Sequence, residues 1–308
     1  MNKILLILLV LISMMMMFCG CTTTEENGEN GDQEQQKEEN NDKSQYSWST
    51  MNEGPYNDQI SYATSTDLLT WVDSEVMLAQ HASVPGAIYK DGVIYVYFVD
   101  VSVDGIPERT GLITSSDEGM TWSEIEYVTF NGIGDMVPVD PCPFLLDDGR
   151  IRLYYYDINE GRQIMTLGME NKMYSAISSD GITFDHEDGV RFSDIDVYDP
   201  DVIQVDDTWR MYVGNIAENK VISATSTNGL DFTKEGTALS GGAVPDVFYK
   251  ENVYYLYTAG IDISTSSDGA TFTKTTNRFE SNINMLTADP SVIELEDGSY
   301  IMFYKTKI

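Results

Sequence analysis

The sequence predicts an all-β fold, a five-bladed β-propeller with four antiparallel strands in each blade. The first observation behind this prediction is a short phrase, Ser-x-Asp followed a few residues later by an aromatic residue. Its copies are STDLLTW at 65–71, SSDEGMTW at 115–122, SSDGITF at 178–184, STNGLDF at 226–232 and SSDGATF at 266–272. Successive copies begin 50, 63, 48 and 40 residues apart. A period near 50 with strand-like flanks is typical of a propeller, with one repeat per blade.

The second observation is a pair of strand segments before each copy of the phrase or, for the last pair, before the C-terminus. The first segment opens at a proline: VPG at 84–86, DPC at 140–142, DPD at 199–201, VPD at 244–246 and DPS at 289–291. A charged or glycine-containing turn follows, as expected for a hairpin. The second segment is aromatic and apolar, at 93–99, 151–156, 209–213, 253–257 and 300–304. The residues before and after the phrase then supply the third and fourth strands.

The third observation concerns the ends of the chain. The last proline-led pair ends near residue 304, so two strands are missing before the C-terminus at Ile308. Two unused strand segments, 60–65 and 71–77, flank the first copy of the phrase. We therefore expect the N-terminal strands to complete the fifth blade, which would remove two exposed sheet edges.

The phrase itself predicts a tight turn. Its Asp can accept backbone N–H bonds, its Gly tolerates positive φ, and its aromatic residue fills the gap beside the next strand. It resembles the Asp box of sialidases and related propellers, which identifies a fold and not a reaction. Sialidases themselves look like six-bladed propellers that grip a carboxylate with three arginines. This chain has only seven Arg, and none recurs at a strand start.

The N-terminal 20 residues predict a lipoprotein-type signal peptide. Lys3 precedes an apolar run at 4–18 that only Ser13 interrupts, shorter than the ~20 residues of a membrane-spanning helix. The run ends in FCGC at 18–21, which resembles a lipobox, although Phe18 and Cys19 stand where Leu and a small residue are usual. We expect Cys21 to be lipidated and the protein to be exported and anchored at the cell surface. An uncleaved N-terminal anchor and ordinary secretion are the alternatives.

Residues 21–58 predict a disordered acidic tether, and residues 59–308 the propeller. The tether has almost no apolar residues to bury. The chain carries a net charge of −32, of which −25 falls on the residues from Ser61 onward. This charge excludes nucleic acid as a partner and limits membrane contact to the lipid anchor. Cys142 is the one cysteine of the predicted propeller and is expected to be a small buried residue.

The candidate catalytic residues lie beside the strand-opening prolines. In a propeller the inner strands surround the axis, so their starting ends converge on one mouth. Asp140, Asp199 and Asp289 precede a proline, and Asp201 and Asp246 follow one. Residues i and i+2 of a strand face the same way, so all five carboxyls are expected to face the channel. The alternative is that they are solvated caps at the strand entrances.

Clustered carboxyls either raise their pKa values or hold a cation. Glycoside hydrolysis needs one protonated and one ionised carboxyl in the same pocket. A calcium ion on the axis would also suit clustered Asp, but the sequence contains no recognisable metal-binding loop, and no metal site is predicted. His81, just before the first proline, and Tyr198 are the candidates for contact with a sugar.

A five-bladed propeller with acids at the starts of its inner strands resembles the glycoside hydrolases of families 32, 43 and 68, which include arabinanases, xylosidases, invertases and levansucrases. The resemblance implies an Asp on the first blade as base or nucleophile, an Asp-Pro on the second, and a Glu on the third as acid. Asp140-Pro141 matches the second element. Val84 stands at the first, and the third, at 198–201, contains Asp199 and Asp201 but no Glu.

Three functions remain open at this point. The first is hydrolysis of a carbohydrate by paired carboxyls, with Asp199 or Asp201 as the acid and Asp246 or Asp289 as the base. The second is a non-catalytic, degenerate hydrolase that binds a glycan or a surface protein, as Val84 suggests. The third is a structural scaffold, which predicts no pocket at the mouth.

Overall fold

The structure is a computed structural model that describes residues 46–49, 51, 53–160, 168–284 and 286–308. The predicted signal peptide and the lipidation site at Cys21 lie outside these residues. Within them, no helix is both long enough and apolar enough to cross a membrane. Gly54–Asn57 forms a short 3-10 helix that leads into the first strand.

The strands are grouped blade by blade along the chain. The N-terminal strands are β1 (Asp58–Ser65), β2 (Val72–Asp73) and β3 (Ala79–Gln80). Blade 1 contains β4 (Ala82–Lys90), β5 (Val93–Asp100), β6 (Arg109–Ser115) and β7 (Glu126–Tyr127). After β8 (Thr129–Asn131), blade 2 contains β9 (Pro138–Leu145), β10 (Ile151–Asp157), β11 (Glu170–Ser178) and β12 (Thr183–Ile195).

The remaining blades follow the same order. Blade 3 contains β13 (Val197–Val205), β14 (Thr208–Asn215), β15 (Lys220–Ser226) and β16 (Thr233–Ser240). Blade 4 contains β17 (Asp246–Lys250), β18 (Val253–Thr258), β19 (Asp262–Ser266) and β20 (Thr273–Arg278). Blade 5 begins with β21 (Thr287–Glu294) and β22 (Tyr300–Lys307).

The five sheets form a five-bladed propeller, which confirms the predicted fold. β1 pairs antiparallel with β22 over its whole length, from Asp58 opposite Lys307 to Ser65 opposite Tyr300. The N-terminal strands therefore complete blade 5, as predicted. Two short strands were not predicted: β3 adds to β1, and β8 pairs in parallel with β12. The β8 pairing covers the outer edge of blade 2.

The prediction of a disordered tether up to residue 58 is wrong for its last residues. Tyr56 and Asp58 are almost completely buried, at 2% and 1% exposed. Further upstream, the backbone N–H of Trp48 donates to Asp104 Oδ1 at 2.8 Å, and its indole Nε1–H donates to the Val101 carbonyl at 2.8 Å. A few aromatic anchors thus attach a segment whose composition alone predicts disorder.

The Ser-x-Asp phrase forms the predicted turn in all five copies. In the third copy, for example, Asp180 Oδ1 accepts the N–H groups of Ile182 and Thr183 at 2.9 and 2.8 Å. These bonds hold the pKa of Asp180 below its ordinary value. Gly181, in the same turn, has a φ of 80°. The first copy places Leu68 at φ 64°, where three other copies have Gly.

Four of these turns also accept a hydrogen bond from the preceding blade. A buried tyrosine on the second strand of one blade donates its hydroxyl to a carbonyl in the next blade's turn. The four bonds, of 2.8–2.9 Å, are Tyr97 to Gly181, Tyr154 to Gly229, Tyr212 to Gly269 and Tyr257 to Leu68. We call each junction between neighbouring blades a seam. The last of these bonds joins Tyr257 of blade 4 to the turn that follows β1.

The fifth seam, between blades 5 and 1, uses a different contact. Phe303 occupies the place of the tyrosine, since it pairs with Ser291 as Tyr212 pairs with Asp201. Trp122, the aromatic residue of the second phrase, packs edge-on against the Phe303 ring at a centroid distance of 5.7 Å. An aromatic contact therefore replaces the hydrogen bond at this seam.

Tyr97→Phe tests the role of the seam bonds. The change leaves the buried Gly181 carbonyl without its donor, so we expect the free energy of unfolding to fall by about 1–3 kcal/mol. Urea unfolding followed by circular dichroism measures this change. The matched control is Tyr95→Phe, a partly exposed tyrosine on the same strand. Equal losses in the two variants would contradict a specific role for the Tyr97 bond.

Candidate active site

The five inner strands carry the same backbone irregularity where they enter the channel. The residue before each opening proline has a positive φ: Val84 51°, Asp140 52°, Asp199 50°, Val244 57° and Asp289 48°. In four blades the strand ladder shifts register at this point, which marks a bulge. Positive φ is strained for a branched residue such as Val and better tolerated by Asp. Repeated strain of this kind is typical of a functional site.

An axial cavity of about 300 Å³ begins at these bulges. All five predicted carboxyls line it, from Asp140 on blade 2 to Asp289 on blade 5. The structure therefore brings together the five acids that the sequence singled out. It divides them into two groups with different partners. We call Asp140, Asp199 and Asp289 the mouth group, and Asp201 and Asp246 the seam pair.

Within the mouth group, the carboxyls of Asp140 and Asp199 hydrogen-bond to each other. Burial raises the pKa of Asp140 to about 6. Burial and the charge of Asp140 raise the pKa of Asp199 well above its ordinary value. Such a pair shares one proton, because two adjacent carboxylates repel each other. At neutral pH the pair therefore contains one acid and one carboxylate.

The third mouth carboxyl, Asp289, has a cationic partner. Lys305 Nζ lies 2.6 Å from Asp289 Oδ2 and 3.7 Å from Asp58 Oδ2. Burial alone would lower the pKa of Lys305, but the two carboxylates raise it above its ordinary value. Asp289 also accepts the backbone N–H of Val84. Burial raises the pKa of Asp289, and Lys305 and this N–H oppose that rise by stabilising the ionised form.

The seam pair lies two residues further along the inner strands. Asp201 Oδ2 accepts the Val247 N–H at 2.9 Å, and Asp246 Oδ1 accepts the Val292 N–H at 3.4 Å. Each carboxyl thus crosses to the next blade, and Ser291 does the same to Ala87 N–H at 2.9 Å. Asp246 Oδ2 is buried without a hydrogen-bond partner among the described residues. These two acids hold neighbouring blades together, because each uses a carboxylate oxygen to accept a backbone N–H of the next blade.

Burial raises the pKa of both members of the seam pair, to about 7 for Asp201 and well above the ordinary value for Asp246. Cys142 lies beside them, with Sγ 3.9 Å from Asp201 Oδ1. Its thiol is free and buried, as the sequence predicts, and burial raises its pKa. A buried thiol of this kind is a poor nucleophile.

The two residues proposed to contact a sugar do not line the axial cavity. Tyr198 is only 8% exposed and packs edge-on against Tyr156, so its ring faces are covered by protein. His81 Nδ1 lies 2.8 Å from the Tyr56 carbonyl, and its ring stacks on Trp48. The expectation that either residue contacts substrate at the mouth is therefore not supported, because both residues are engaged by other groups of the protein.

Sequence reasoning missed two residues of the mouth. Lys305 neutralises Asp289, and the Tyr156 side chain hydrogen-bonds to Asp140. Both lie on second strands, opposite the residue that precedes a bulge: Tyr156 pairs with Val139 and Lys305 with Ala288. The strand register could have identified both residues. A residue on the second strand that lies opposite a bulge comes close to the side chain that the bulge displaces.

A metal site finds no support in the described part of the chain. It contains no group of three or more His, Cys, Asp or Glu side chains arranged to hold a metal ion. The shared proton of Asp140 and Asp199, and the Lys305 ammonium, offset part of the charge of the mouth carboxyls.

Comparison with solved structures identifies proteins of the same architecture. A thermostable family 43 glycoside hydrolase aligns with a TM-score of 0.55 at 13% identity, over 72% of this chain and 88% of that one. An α-L-arabinofuranosidase from Clostridium thermocellum gives 0.53 at 17%, over 70% and 79%. A family 32 β-fructofuranosidase from Bombyx mori gives 0.55 at 13%, over 87% and 60%. No family model and no curated protein matches the chain.

These structures share the fold of this chain. The chain is a five-bladed propeller of the kind found in glycoside hydrolases, as its sequence pattern predicts. At identities of 13–17% the likeness extends to the fold and no further. The chemistry of the site depends on its own residues.

Asp201→Asn tests the charge state of the seam pair. The pKa of Asp201 rises from 3.8 to about 7 on folding. Its contribution to the free energy of unfolding is therefore fully present below pH 3.8 and is lost as pH rises through 7. Asparagine keeps an acceptor for Val247 N–H but does not ionise. We therefore expect the variant to gain up to about 4 kcal/mol relative to wild type between pH 4 and pH 8.

Urea midpoints at a series of pH values measure this difference. The control is Asp207→Asn, an exposed aspartate in the hairpin turn of the same blade. A difference between wild type and Asp201→Asn that stays constant with pH would show that Asp201 is ionised throughout.

Lys305→Met tests the ion pair at the mouth. It leaves the buried Asp289 carboxylate without its cation, so we expect a loss of roughly 3–5 kcal/mol in unfolding free energy. The double variant Lys305→Met/Asp289→Asn should recover much of this loss, because the uncompensated charge is gone. Thermal unfolding by calorimetry measures both. Lys90→Met, which breaks the surface pair with Asp91, serves as the control and should change little.

Proposed function

We propose that this protein is a carbohydrate-acting propeller that hydrolyses glycosidic bonds at the axial mouth. The observation that carries the proposal is the mouth group. Three carboxyls from three blades face one cavity, one of them keeps a proton at neutral pH, and another is held as a carboxylate by Lys305. One protonated and one ionised carboxyl are what this reaction requires.

Asp199 is the proposed general acid. It is the most exposed of the three mouth carboxyls, so it is accessible from the cavity. Its raised pKa keeps it protonated at neutral pH, and the adjacent Asp140 carboxylate maintains that state. It stands at the third-blade position, where the resemblance to the hydrolase families implies a Glu. An aspartate there is shorter by one methylene group, so a substrate must bind closer to the strand.

Asp289 is the proposed base or nucleophile. The two carboxyls of a glycosidase lie about 5–5.5 Å apart in retaining enzymes and about 6.5–9.5 Å in inverting ones. Asp140 cannot be the second carboxyl, because its hydrogen bond to Asp199 brings the two closer than that and leaves no room for the sugar. Asp289 is the remaining ionised group of the mouth, and it belongs to a different blade.

A second candidate function is sugar binding without hydrolysis. Val84 favours it, because Val84 shares the bulge geometry of the mouth acids and stands at the first-blade position where the resembling families place a catalytic Asp. An isopropyl group cannot act as a base. In this case the mouth group would only hydrogen-bond to sugar hydroxyls.

The proposed setting is the cell surface. A lipid on Cys21 would attach the chain to the membrane, and the segment between Cys21 and Trp48 would hold the propeller away from it. Both the anchor and the export signal rest on the sequence pattern alone. A polymeric carbohydrate outside the cell is the substrate that suits this arrangement.

The proposed roles are tested with arabino-, xylo- and fructo-oligosaccharides as substrates. We expect Asp199→Asn and Asp289→Asn each to lower kcat by about 10²–10⁴, because each removes a group that transfers a proton or attacks in the transition state. Chromatography of the released sugars measures the rate. The control is Asp207→Asn. Wild-type rates in both mouth variants would rule out hydrolysis at the mouth.

The Asp140→Asn variant adds a pH readout. Without the Asp140 carboxylate, the pKa of Asp199 falls, so the loss of activity at high pH should begin at a lower pH than in wild type. If wild-type protein binds an oligosaccharide that it never cleaves, the binding function is correct instead. Isothermal titration calorimetry with the same oligosaccharides distinguishes these two cases.

A further inference from the structure

A second concave surface lies beside blade 1, and none of its lining residues belongs to the axial cavity. It is a groove of about 530 Å³ whose walls include Trp48, Gln80, His81, Ser102, Trp122 and Glu124. The groove is formed by four separate parts of the chain: the segment before the propeller, residues 78–81 before β4, Ser102 after β5, and residues 122–125, which begin at the aromatic residue of the second Ser-x-Asp phrase. We refer to it as the two-tryptophan groove.

Trp48 forms one side of the groove and is held rigidly. Its backbone N–H and its indole N–H each donate a hydrogen bond of 2.8 Å, to Asp104 and Val101 respectively. One face of the indole stacks on His81, with ring centroids 3.8 Å apart and planes 9° from parallel. The side chain is nevertheless 37% exposed. A large ring that is fixed in position but still open to water is suited to stacking against a ligand.

Trp122 forms another side and is also fixed. Its indole Nε1–H donates to the Gly119 carbonyl at 3.1 Å, and its ring packs edge-on against Phe303 at the seam between blades 5 and 1. The remaining part of the ring faces the groove. The two indoles are therefore positioned by contacts on their other sides and would not have to reorganise to bind a ligand.

The polar lining selects among ligand classes. Gln80 and Glu124 are exposed, and Ser102 is partly exposed, so amide, carboxylate and hydroxyl groups surround the indoles. Among the described residues that line the groove there is no Lys or Arg, so these residues offer no permanent cation for a phosphate or an acidic sugar. Aromatic walls with a few hydrogen-bonding groups fit a ring that has a C–H face and hydroxyls at its edge.

We propose that the two-tryptophan groove is a binding site for neutral oligosaccharides, separate from the axial mouth. One sugar ring stacks on the exposed face of Trp48, and its hydroxyls bond to Gln80 and Glu124. The site depends on residues upstream of the propeller, because Trp48 belongs to that segment. This proposal does not depend on hydrolysis at the mouth. A second binding groove on the propeller would keep a polymer attached to the protein.

The test uses the full-length protein and xylohexaose, arabinohexaose and a fructo-oligosaccharide of five residues as probes. Trp48→Ala should weaken binding of at least one probe tenfold or more by calorimetry, and Trp48→Phe should recover part of it, because phenylalanine keeps a ring for stacking. Glu124→Ala and Gln80→Ala are exposed changes that should weaken binding without altering the fold. Hydrolysis of a short aryl glycoside by the mouth should be unchanged in all four variants.

Two results would overturn the groove proposal. One is that the Asp199→Asn/Trp48→Ala variant binds every probe as tightly as Asp199→Asn does. This result would show that Trp48 contributes nothing to binding outside the axial mouth. The other is binding by Trp48→Ala and Glu124→Ala at wild-type affinity. Failure of the mouth proposal gives a different pattern, in which the mouth variants hydrolyse normally while the groove variants still lose binding.

Discussion

The contact between neighbouring blades is the interaction on which the rest of this structure depends. Each blade is a small antiparallel sheet with two faces to cover, and it covers them only by packing on the next blade. At four seams a buried tyrosine hydroxyl bonds to a turn carbonyl at 2.8–2.9 Å. Near the axis, Asp201, Asp246 and Ser291 each bond to a backbone N–H of the next blade. Both kinds of bond are present at the seams between blades 3 and 4 and between blades 4 and 5, so these two seams are fixed at two different radii.

The seams also explain why acidic residues lie in the interior. A short carboxylate can reach across the narrow inner gap and accept an N–H that the strand ladder leaves unused. The same burial raises the pKa values of these groups, so stabilising the ring and storing protonated carboxyls are one physical effect. The mouth group differs in that Asp140 and Asp199 bond to each other, and Asp289 has the cationic partner Lys305 in addition to the Val84 N–H. That difference leaves the mouth group available for chemistry.

The sequence was sufficient for the blade count and for the closure by β1, because both follow from a local phrase that repeats in register. It also placed all five acids on one cavity. It did not separate Asp199 from Asp201, since the rule that residues i and i+2 share a face ignores the bulge at positive φ. The partnership of Tyr97 with Gly181 and that of Lys305 with Asp289 join different strands and depend on the closed ring. A residue-by-residue pattern contains no record of such contacts.

Charge balance at the mouth supports a catalytic over a purely structural role. The Asp140–Asp199 pair holds one proton, Lys305 offsets Asp289, and Lys307, 2.8 Å from Asp58, offsets that carboxylate. The mouth group together with Asp58, Lys305 and Lys307 therefore keeps one negative charge on largely buried side chains. A structure under selection for stability alone would gain by removing that charge, because burying it is unfavourable. Glycosidic cleavage proceeds through a transition state with positive character on the sugar ring, and a fixed negative charge is positioned to stabilise it.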